Sequence, residues 1–389
     1  MQREDQSKLN KLIQELCPKG VEYRTLLDVT KVTYGYPADS RLFTEDNQYI
    51  PLIRIRDVMH GYSETYYKGD FPEAYLVHKN DILVGMDGEF NLNRWNDRDA
   101  LLNQRVLKIE SLSEKVLLNG FIYHLLAPVF KKIEKTIQGS TVKHLSAKII
   151  SGIEIPVPPL PVQSEIVRIL DAFTALTAEL TAELTARRKQ YEYYRDRLLK
   201  FDDLAGGVRW KNLDELCEIS AGGDVPKEDF SLVKTPEKTV PIISNGVGEN
   251  SLYGYTSTYK INVPAVTIAA RGTIGYAEYR DYPYFPIVRL LSLVPRDNIC
   301  LDTKYLYYCL QNRKYNIPTS GIPQLTAPML KKEAIPLPPL SEQRRIVSIL
   351  DRFDALCNDL TQGLPAEIAA RRKQYEFYRD RLLGFQRKE

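Results

Sequence analysis

The chain has 389 residues, 43% hydrophobic and 26% charged, with a net charge of +3 at pH 7. That length and apolar content fill more than one core, so two or three domains are expected, and the charge is too small to identify a nucleic-acid partner unless basic groups gather on particular faces. The polar start, Met1 to Gln6, is not what a signal peptide is expected to show, and no apolar run approaches the roughly 18–20 residues that span a bilayer, so a cytoplasmic protein with no membrane partner is expected.

In chain order, the first element is a short helix within residues 1–20. Leu9, Leu12, Ile13 and Leu16 share one face, and Pro18 with Gly20 ends it. Residues 21–154 form a first variable segment. Its short β-branched runs, bounded by Gly, Pro, Asn and Asp, predict strands and turns, followed by a helical patch over 121–135. Residues 155–206 open with a Pro-rich hinge, Pro156-Val-Pro158-Pro159. It should be extended, because proline removes backbone donors and disfavours helix in the residue before it. A long helix follows, with Pro161 suited to its first turn. Its apolar seam is Ile166, Leu170, Phe173, Leu176, Leu180, Leu184, Tyr191, Tyr194 and Leu198. Steps of three and four sustained this long predict a coiled-coil seam rather than a helix lying on a globular core. About 40 residues at ~1.5 Å each give roughly 60 Å of helix.

Residues 207–334 form a second variable segment, with a helical patch over 305–312. Residues 335–389 repeat the hinge and the helix. Here Ser341 suits an N-cap, and the seam runs Ile346, Leu350, Phe353, Leu356, Leu360, Leu364, Ile368, Tyr375, Tyr378, Leu382. Gly363 and Pro365 interrupt it and predict a break.

The chain is therefore written twice. Ile155 to Leu176, IPVPPLPVQSEIVRILDAFTAL, matches Ile335 to Leu356, IPLPPLSEQRRIVSILDRFDAL, at 14 of 22 positions with an offset of 180. RRKQYEYYRDRLL from Arg187 matches RRKQYEFYRDRLL from Arg371 at all but one position, with an offset of 184. Four residues separate the two registers, about one helical turn. In the first copy Thr177 to Leu184 is itself a doubled Thr-Ala-Glu-Leu tetrapeptide. The variable segments are less alike, but GVEYRTL from Gly20 pairs with GVRWKNL from Gly207. Ile50-Pro51 pairs with Val240-Pro241, Gly88 with Gly272, Arg105 with Arg289, and 140–145 with 320–325. The fold class expected is two mixed α/β heads joined by two long helices in an antiparallel coiled coil, with an internal pseudo-twofold.

The five cysteines (Cys17, Cys217, Cys300, Cys309, Cys357) form no C-x-x-C pair, and the four histidines are far apart. All read as structural or surface residues, and no metal site is expected.

The twice-written IP-x-PPL…Q…IV-x-ILD-x-F…L, the TAEL tetrapeptides and the RRKQYE blocks resemble the two repeated regions of specificity subunits of type I restriction–modification systems. The resemblance covers the whole chain and is closest to the subclass with TAEL repeats in its central helix. It implies that the heads are target-recognition domains, each reading half of a bipartite sequence in double-stranded DNA. It implies that the paired helices set the spacing and dock two methyltransferase subunits, which restriction (translocase) subunits join. S-adenosylmethionine, ATP and Mg2+ would be bound by those partners and not by this chain, which would have no catalytic residues. The sequence has no G-x-x-x-x-G-K-[ST] phosphate loop and no Asn/Asp-Pro-Pro-Phe/Tyr motif of amino-methyltransferases. A coiled-coil scaffold without DNA recognition and an enzyme with an unrecognised site are the competing readings.

Candidate DNA contacts are polar residues on predicted turns at matched positions. In the first head they are Arg54, Arg56, Asn91, Asn93, Arg94, Trp95, Gln104, Arg105, Lys143 and His144. In the second they are Ser244, Asn245, Arg271, Thr273, Tyr276, Arg289, Ser320 and Gln324. Arginine pairs with guanine O6/N7, Asn or Gln with adenine N6/N7, and basic loop residues with phosphates. Each also has a plainer reading: a solvated arginine, a half-buried strand tyrosine, a core Trp95. The basic patches Arg187-Arg188-Lys189 and Arg371-Arg372-Lys373 read either as a docking surface or as solvated faces with Arg188–Glu192 and Arg372–Glu376 pairs.

Overall fold

The computed structural model describes residues 3–137, 143–201, 208–317, 322–359 and 361–388. It divides into two units, residues 1–180 with 368–389, and residues 181–367.

Each unit is built on a four-stranded antiparallel sheet of one strand order. In the first the order is Thr30–Tyr34, Val106–Ser111, Ile82–Gly85, Leu92–Arg94; in the second it is Cys217–Ala221, Leu291–Pro295, Ala265–Ile268, Ala277–Arg280. The strands Ile82–Gly85 and Ala265–Ile268 are buried at every position, as their continuous apolar runs require. Registers correspond as well. Leu107 faces Tyr34 and Val84, and Leu291 faces Ala221 and Ile268. A second sheet adjoins each, five-stranded in the first unit and three-stranded in the second. In it Ile50–Ile53 runs parallel to Ala100–Leu102, and Val240–Ile243 runs parallel to Phe285–Pro286. The Ile-Pro and Val-Pro motifs thus begin equivalent strands.

A helix packs on each main sheet, Asn119–Thr136 in the first unit and Thr303–Leu310 in the second. The hinges are extended as expected. Glu154–Pro156 pairs with Tyr23–Thr25, and Ala334–Leu337 with Arg209–Asn212. Helices begin at Leu160 and Leu340, so Ser341 lies inside the first turn and Pro339 takes the cap position. The Pro339 carbonyl accepts from the amides of Glu342 and Gln343.

The anchoring side chain is instead the glutamine of the repeat. Gln163 is fully buried. Its Nε2 donates to the carbonyls of Pro158 (2.7 Å) and Val116 (2.8 Å), and its Oε1 accepts from the Leu118 amide (2.9 Å). Gln343 repeats the pattern with Pro338 (2.9 Å), Cys300 (2.8 Å) and the Asp302 amide (2.9 Å). Each amide ties hinge, long helix and the start of the head's helix together.

The first long helix is continuous from Leu160 to Leu199; the second is broken into Leu340–Asn358 and Leu364–Leu382, with Gly363 and Pro365 at the break. Phe173 stacks on Tyr378 in one unit, and Tyr194 on Phe353 in the other. The beginning of one long helix therefore lies against the end of the other in both units, the pairing that antiparallel helices make. The seam is not uniform. Ile166, Leu170 and Phe173 join the core of the first head, and Ile346 and Leu350 that of the second, whereas Leu176 and Leu356 are exposed. The first turns of these helices do lie on a globular core, because the sheet helices offer them apolar faces. Leu360 lies outside the described residues. In the basic patches Arg187 pairs with Glu183, and Arg188 donates to the Cys357 carbonyl at 3.5 Å rather than to Glu192; Arg371 donates to Gln374.

A partly buried polar joint completes each head. His124, with no exposure, lies 2.8 Å from Asp171 Oδ1 through Nε2 and 2.9 Å from the Tyr375 hydroxyl through Nδ1. A carboxylate only accepts, so the neutral ring donates from Nε2 and accepts the Tyr375 proton at Nδ1. Burial holds the His124 pKa down against the pull of Asp171, with Arg94 and Arg379 adding to the depression. At the equivalent place Tyr308 donates to Asp351 (2.6 Å), Lys304 reaches the same carboxylate (2.7 Å), and Tyr191 donates to Gln311 (2.7 Å).

Two measurements check these ties. Gln343→Leu leaves the buried Pro338 carbonyl and the partly buried Cys300 carbonyl and Asp302 amide without their partner, so chemical denaturation of the variant should show a loss of about 2–5 kcal/mol. A loss below ~0.5 kcal/mol would remove the anchoring role. The second concerns pH. An unfolded histidine titrates near 6.5, and the folded His124 titrates lower. Its contribution is therefore complete above about pH 6.5 and is lost as pH falls below that value. Melting temperatures between pH 7.5 and 5.5 should fall more steeply for the natural chain than for His124→Tyr, which copies Tyr308; equal slopes would contradict the assignment.

Candidate nucleic-acid interface

The main sheet of each head delivers loops from several strand ends to one place. In the first head Gln104 donates its amide to Tyr36 O (2.8 Å), and Tyr36 donates to Leu102 O (2.7 Å). Gly35 permits this approach, since a Cβ there would sit 1.9 Å from the Asn103 carbonyl. Met86 donates to Arg105 O (2.8 Å), Leu145 to Met86 O (2.7 Å), and Gly88 to Lys143 O (2.9 Å). In the second head Gly222 donates to Leu290 O (2.8 Å), Arg289 to Gly222 O (3.1 Å), and Leu325 to Ala270 O (2.9 Å).

These bonds fix an equivalence between the heads. Val84 and Ile268 face the same position of the neighbouring strand, so Asp87 corresponds to Arg271 and Gly88 to Gly272. Leu107 and Leu291 correspond, so Arg105 matches Arg289. Leu145 and Leu325 make the same bond, so His144 matches Gln324. Gly88 (φ 75°) and Gly272 (φ 72°) share the left-handed conformation and have open space where a Cβ would point.

Four of the expected residues of the first head meet in one cavity of about 580 Å³, lined by Arg54, Arg56, Gln104 and Arg105 with Ser40, Phe43 and Asn103. Arg54 and Arg56 extend into an adjoining cleft with Glu45, Glu64 and Tyr66. Arg54 sits at the start of the helix Ile55–His60, where its amide donates to Asp57 (2.9 Å), and Arg56 reaches the Thr65 hydroxyl (3.3 Å). Arg105 pairs with Asp87, which also accepts from His144 Nδ1 at 2.6 Å. Burial pushes the Asp87 carboxyl up, but the bonds from His144 and Arg105 outweigh it and hold it below its usual range. Lys143 faces Glu134 at 3.4 Å. Asn91 is partly exposed against Glu89, and Asn93 is turned to the Met59 carbonyl (3.1 Å).

Two expectations are corrected in the first head. Trp95 is fully buried among Ile53, Val58, Leu83 and Leu102, with its indole N–H on the Arg98 carbonyl (2.7 Å), so it is core and cannot meet DNA. Arg94 turns away from the cavity. Its guanidinium lies 4.3 Å over the Tyr123 ring and 3.3 Å from Asp171, inside the joint with the long helices.

In the second head Arg271 and Arg289 line a cavity of about 320 Å³ with Gly222, Gly223, Asp224 and Val288. Arg271 donates through Nε (2.9 Å) and Nη2 (2.6 Å) to Gln324 Oε1. Asn245 clamps the loops: Nδ2 donates to Val288 O (2.7 Å), Oδ1 accepts from the Ala270 amide (3.1 Å), and its carbonyl accepts from Thr273 Oγ1 (3.3 Å). Ser244 is committed to the Ser251 carbonyl (3.1 Å). Thr273 is exposed on the turn. Tyr276 is half-buried, with its phenol raised by burial and by Glu278. Asn245 and Ser244 thus position the surface more than they present a face to it. Ser320 lies outside the described residues.

Sequence reasoning missed Asp87, the neighbour of Gly88. The signal lay in the pairing of 87 with 271, an acid opposite an arginine. Among the described residues no group of three His, Cys, Asp or Glu could hold a metal ion, and no helix is long and apolar enough to cross a membrane.

The family model for the type I restriction modification DNA specificity domain matches residues 18–187 and again 207–370. A putative type I restriction enzyme specificity subunit of Haemophilus influenzae is 32% identical over 94% of this chain and 96% of its own length. The EcoR124I/EcoR124II specificity subunit of Escherichia coli is 33% identical over 83% of this chain and 85% of its own. Among solved structures, the S subunit of a type I restriction–modification system from M. genitalium superposes with a TM-score of 0.60 at 17% identity, covering 93% of this chain and 96% of that one. Its fold is shared. The chain belongs to the type I restriction–modification DNA specificity family.

Proposed function

We propose that this chain, taking residues 21–154 and 207–334 as two target-recognition domains, reads the two halves of a bipartite DNA sequence for a type I restriction–modification complex and does no chemistry itself. The observation that carries this is the pair of arginine-lined cavities, held on one backbone framework and furnished with unlike side chains. A common framework presents two surfaces to one duplex, and unlike side chains select different bases. Basic groups at both cavities, in a chain of small net charge, meet the requirement that charge be local.

On this reading the long helices dock two methyltransferase subunits, which bind S-adenosylmethionine and modify adenine at N6. Restriction subunits bind ATP and Mg2+. The complex works in the cytoplasm. Thr177 to Leu184 lies inside the continuous helix Leu160–Leu199, which supports placing the chain in the TAEL-repeat subclass and gives the repeat a spacing role.

The test is to assemble the chain with its methyltransferase subunits and map methylated adenines by single-molecule sequencing. A split motif with a fixed unspecified spacer is expected. Deleting Thr181 to Leu184 removes about 6 Å of helix. It should shorten the spacer and leave both half-sites unchanged; an altered half-site with the old spacer would overturn the spacing role. A second measurement addresses Arg54 and Arg56. In the assembled complex Arg54→Ala/Arg56→Ala should weaken duplex binding about 10- to 100-fold and lower the salt slope by about one to two. Unchanged affinity and slope would take both arginines off the interface.

A further inference from the structure

Arg105 and Arg289 are two of five non-glycine residues with positive φ among the described residues, at 74° and 58°. The left-handed conformation strains an L-residue, and glycine would adopt it freely. The two heads differ around these positions, yet both keep an arginine where glycine would relieve strain. Backbone strain held at equivalent places points to function. Independently of the strain, both side chains line the head's cavity, and both residues are exposed.

What surrounds them differs. In the first head Arg105 is held by Asp87, whose other oxygen takes His144. The Arg105 side chain remains 61% exposed and His144 51%, while Asp87 is only 14% exposed, so the carboxylate is an anchor beneath two exposed donors. In the second head the anchoring acid is replaced by Arg271, which spends two donors on Gln324. The Arg289 side chain has no hydrogen-bond or ion-pair partner among the described residues, and its planar fork is free. A free or singly anchored guanidinium matches the paired acceptors of a guanine major-groove edge, O6 and N7.

We propose that Arg105 and Arg289 are the equivalent base-reading residues of the two heads, each taking the O6/N7 edge of a guanine, with Asp87 a positioning residue for Arg105. This rests on the reading of the heads as target-recognition domains. Each half-site then contains one G·C pair whose recognition depends on a single arginine.

The experiment uses the chain assembled with its methyltransferase subunits. The methylated motif is mapped for the natural chain, Arg105→Gly, Arg289→Gly, Arg289→Lys and Asp87→Asn, and the melting temperature of each is recorded. Arg289→Gly should relax one G·C position of the second head's half-site, with discrimination there falling on the order of tenfold to a hundredfold. The other half and the spacer should stay unchanged. Arg105→Gly should do the same in the first head. Neither glycine variant should lower the melting temperature, because strain is relieved; a structural role would lower it. Arg289→Lys keeps the charge and loses the fork, and should relax the same position. Asp87→Asn should weaken discrimination at the Arg105 position only. A natural chain with a split motif, and variants that methylate that same motif with full discrimination, would overturn the proposal and leave the recognition role standing. A natural chain with no split motif would overturn both.

Discussion

The rest of the structure depends on two buried amides. Gln163 and Gln343 each sit where a proline-rich hinge turns into a long helix, and prolines there leave carbonyls without neighbouring donors. One side-chain amide donates twice and accepts once, joining the hinge carbonyl, a head carbonyl and the first free amide of the head's helix segment. A charged side chain there would carry a desolvation cost, and an apolar one would strand three polar groups. Glutamine alone has both the reach and the donor–acceptor balance. The same amide in both copies fixes the direction in which each long helix leaves its head.

With that direction fixed, the heads are free to diverge at the loops. The backbone bonds that gather the loops run main chain to main chain, from Met86 to Arg105 and from Leu325 to Ala270, and do not depend on side-chain identity. Substituting 87, 105, 144 or their counterparts therefore changes the surface without touching the sheet. An aspartate can stand opposite an arginine, and a histidine opposite a glutamine, on one unaltered framework. This separation of scaffold from surface is what a recognition module needs when its target must change and its partners must not.

The helices, hinges and break were legible in the sequence because their signals are local: spacing of three and four, proline runs, Gly363 with Pro365. The equivalence of the strands that begin at Ile50-Pro51 and Val240-Pro241 was legible through the duplication. Two things were not. Apolar periodicity does not say what covers a seam, so Ile166 and Leu170 read as coiled coil although they fill the core of the first head. Asn91, Asn93, Arg94 and Trp95 read as one group of candidate contacts beside a turn, but residues 92–94 form a strand, and alternate side chains of a strand point to opposite sides. Asn93 turned toward Met59, Arg94 entered the joint, and Trp95 filled the core. Arg54, Arg105 and Arg289 were legible as candidates; the anchoring role of Asp87 needed the structure, because its partners Arg105 and His144 are 18 and 57 residues away.

The joint between head and long helix shows how divergence is contained. Asp171 and Asp351 occupy one place in the repeat, and each is matched by a cation. In the first unit the cation is Arg94, from a sheet strand, lying across the helix surface at Gly120. A Cβ on Gly120 would stand 3.5 Å from that guanidinium and 2.8 Å from Val167. In the second unit the position of Gly120 is taken by Lys304, which supplies the cation itself, and the position of Arg94 is Tyr279, whose ring lies 5.5 Å from the ammonium. Arginine with glycine in one head has become tyrosine with lysine in the other. Either change alone carries a cost, since Lys304 with an arginine would crowd two cations onto one carboxylate, and glycine with tyrosine would leave the aspartate with its hydrogen bond from the head's helix but without a cation. The constraint on a head is thus narrow. It must bring one positive charge to the aspartate of the long helix and satisfy the glutamine beneath its own helix, and its loops need only the few clamps such as Gly35 and Asn245 that gather them.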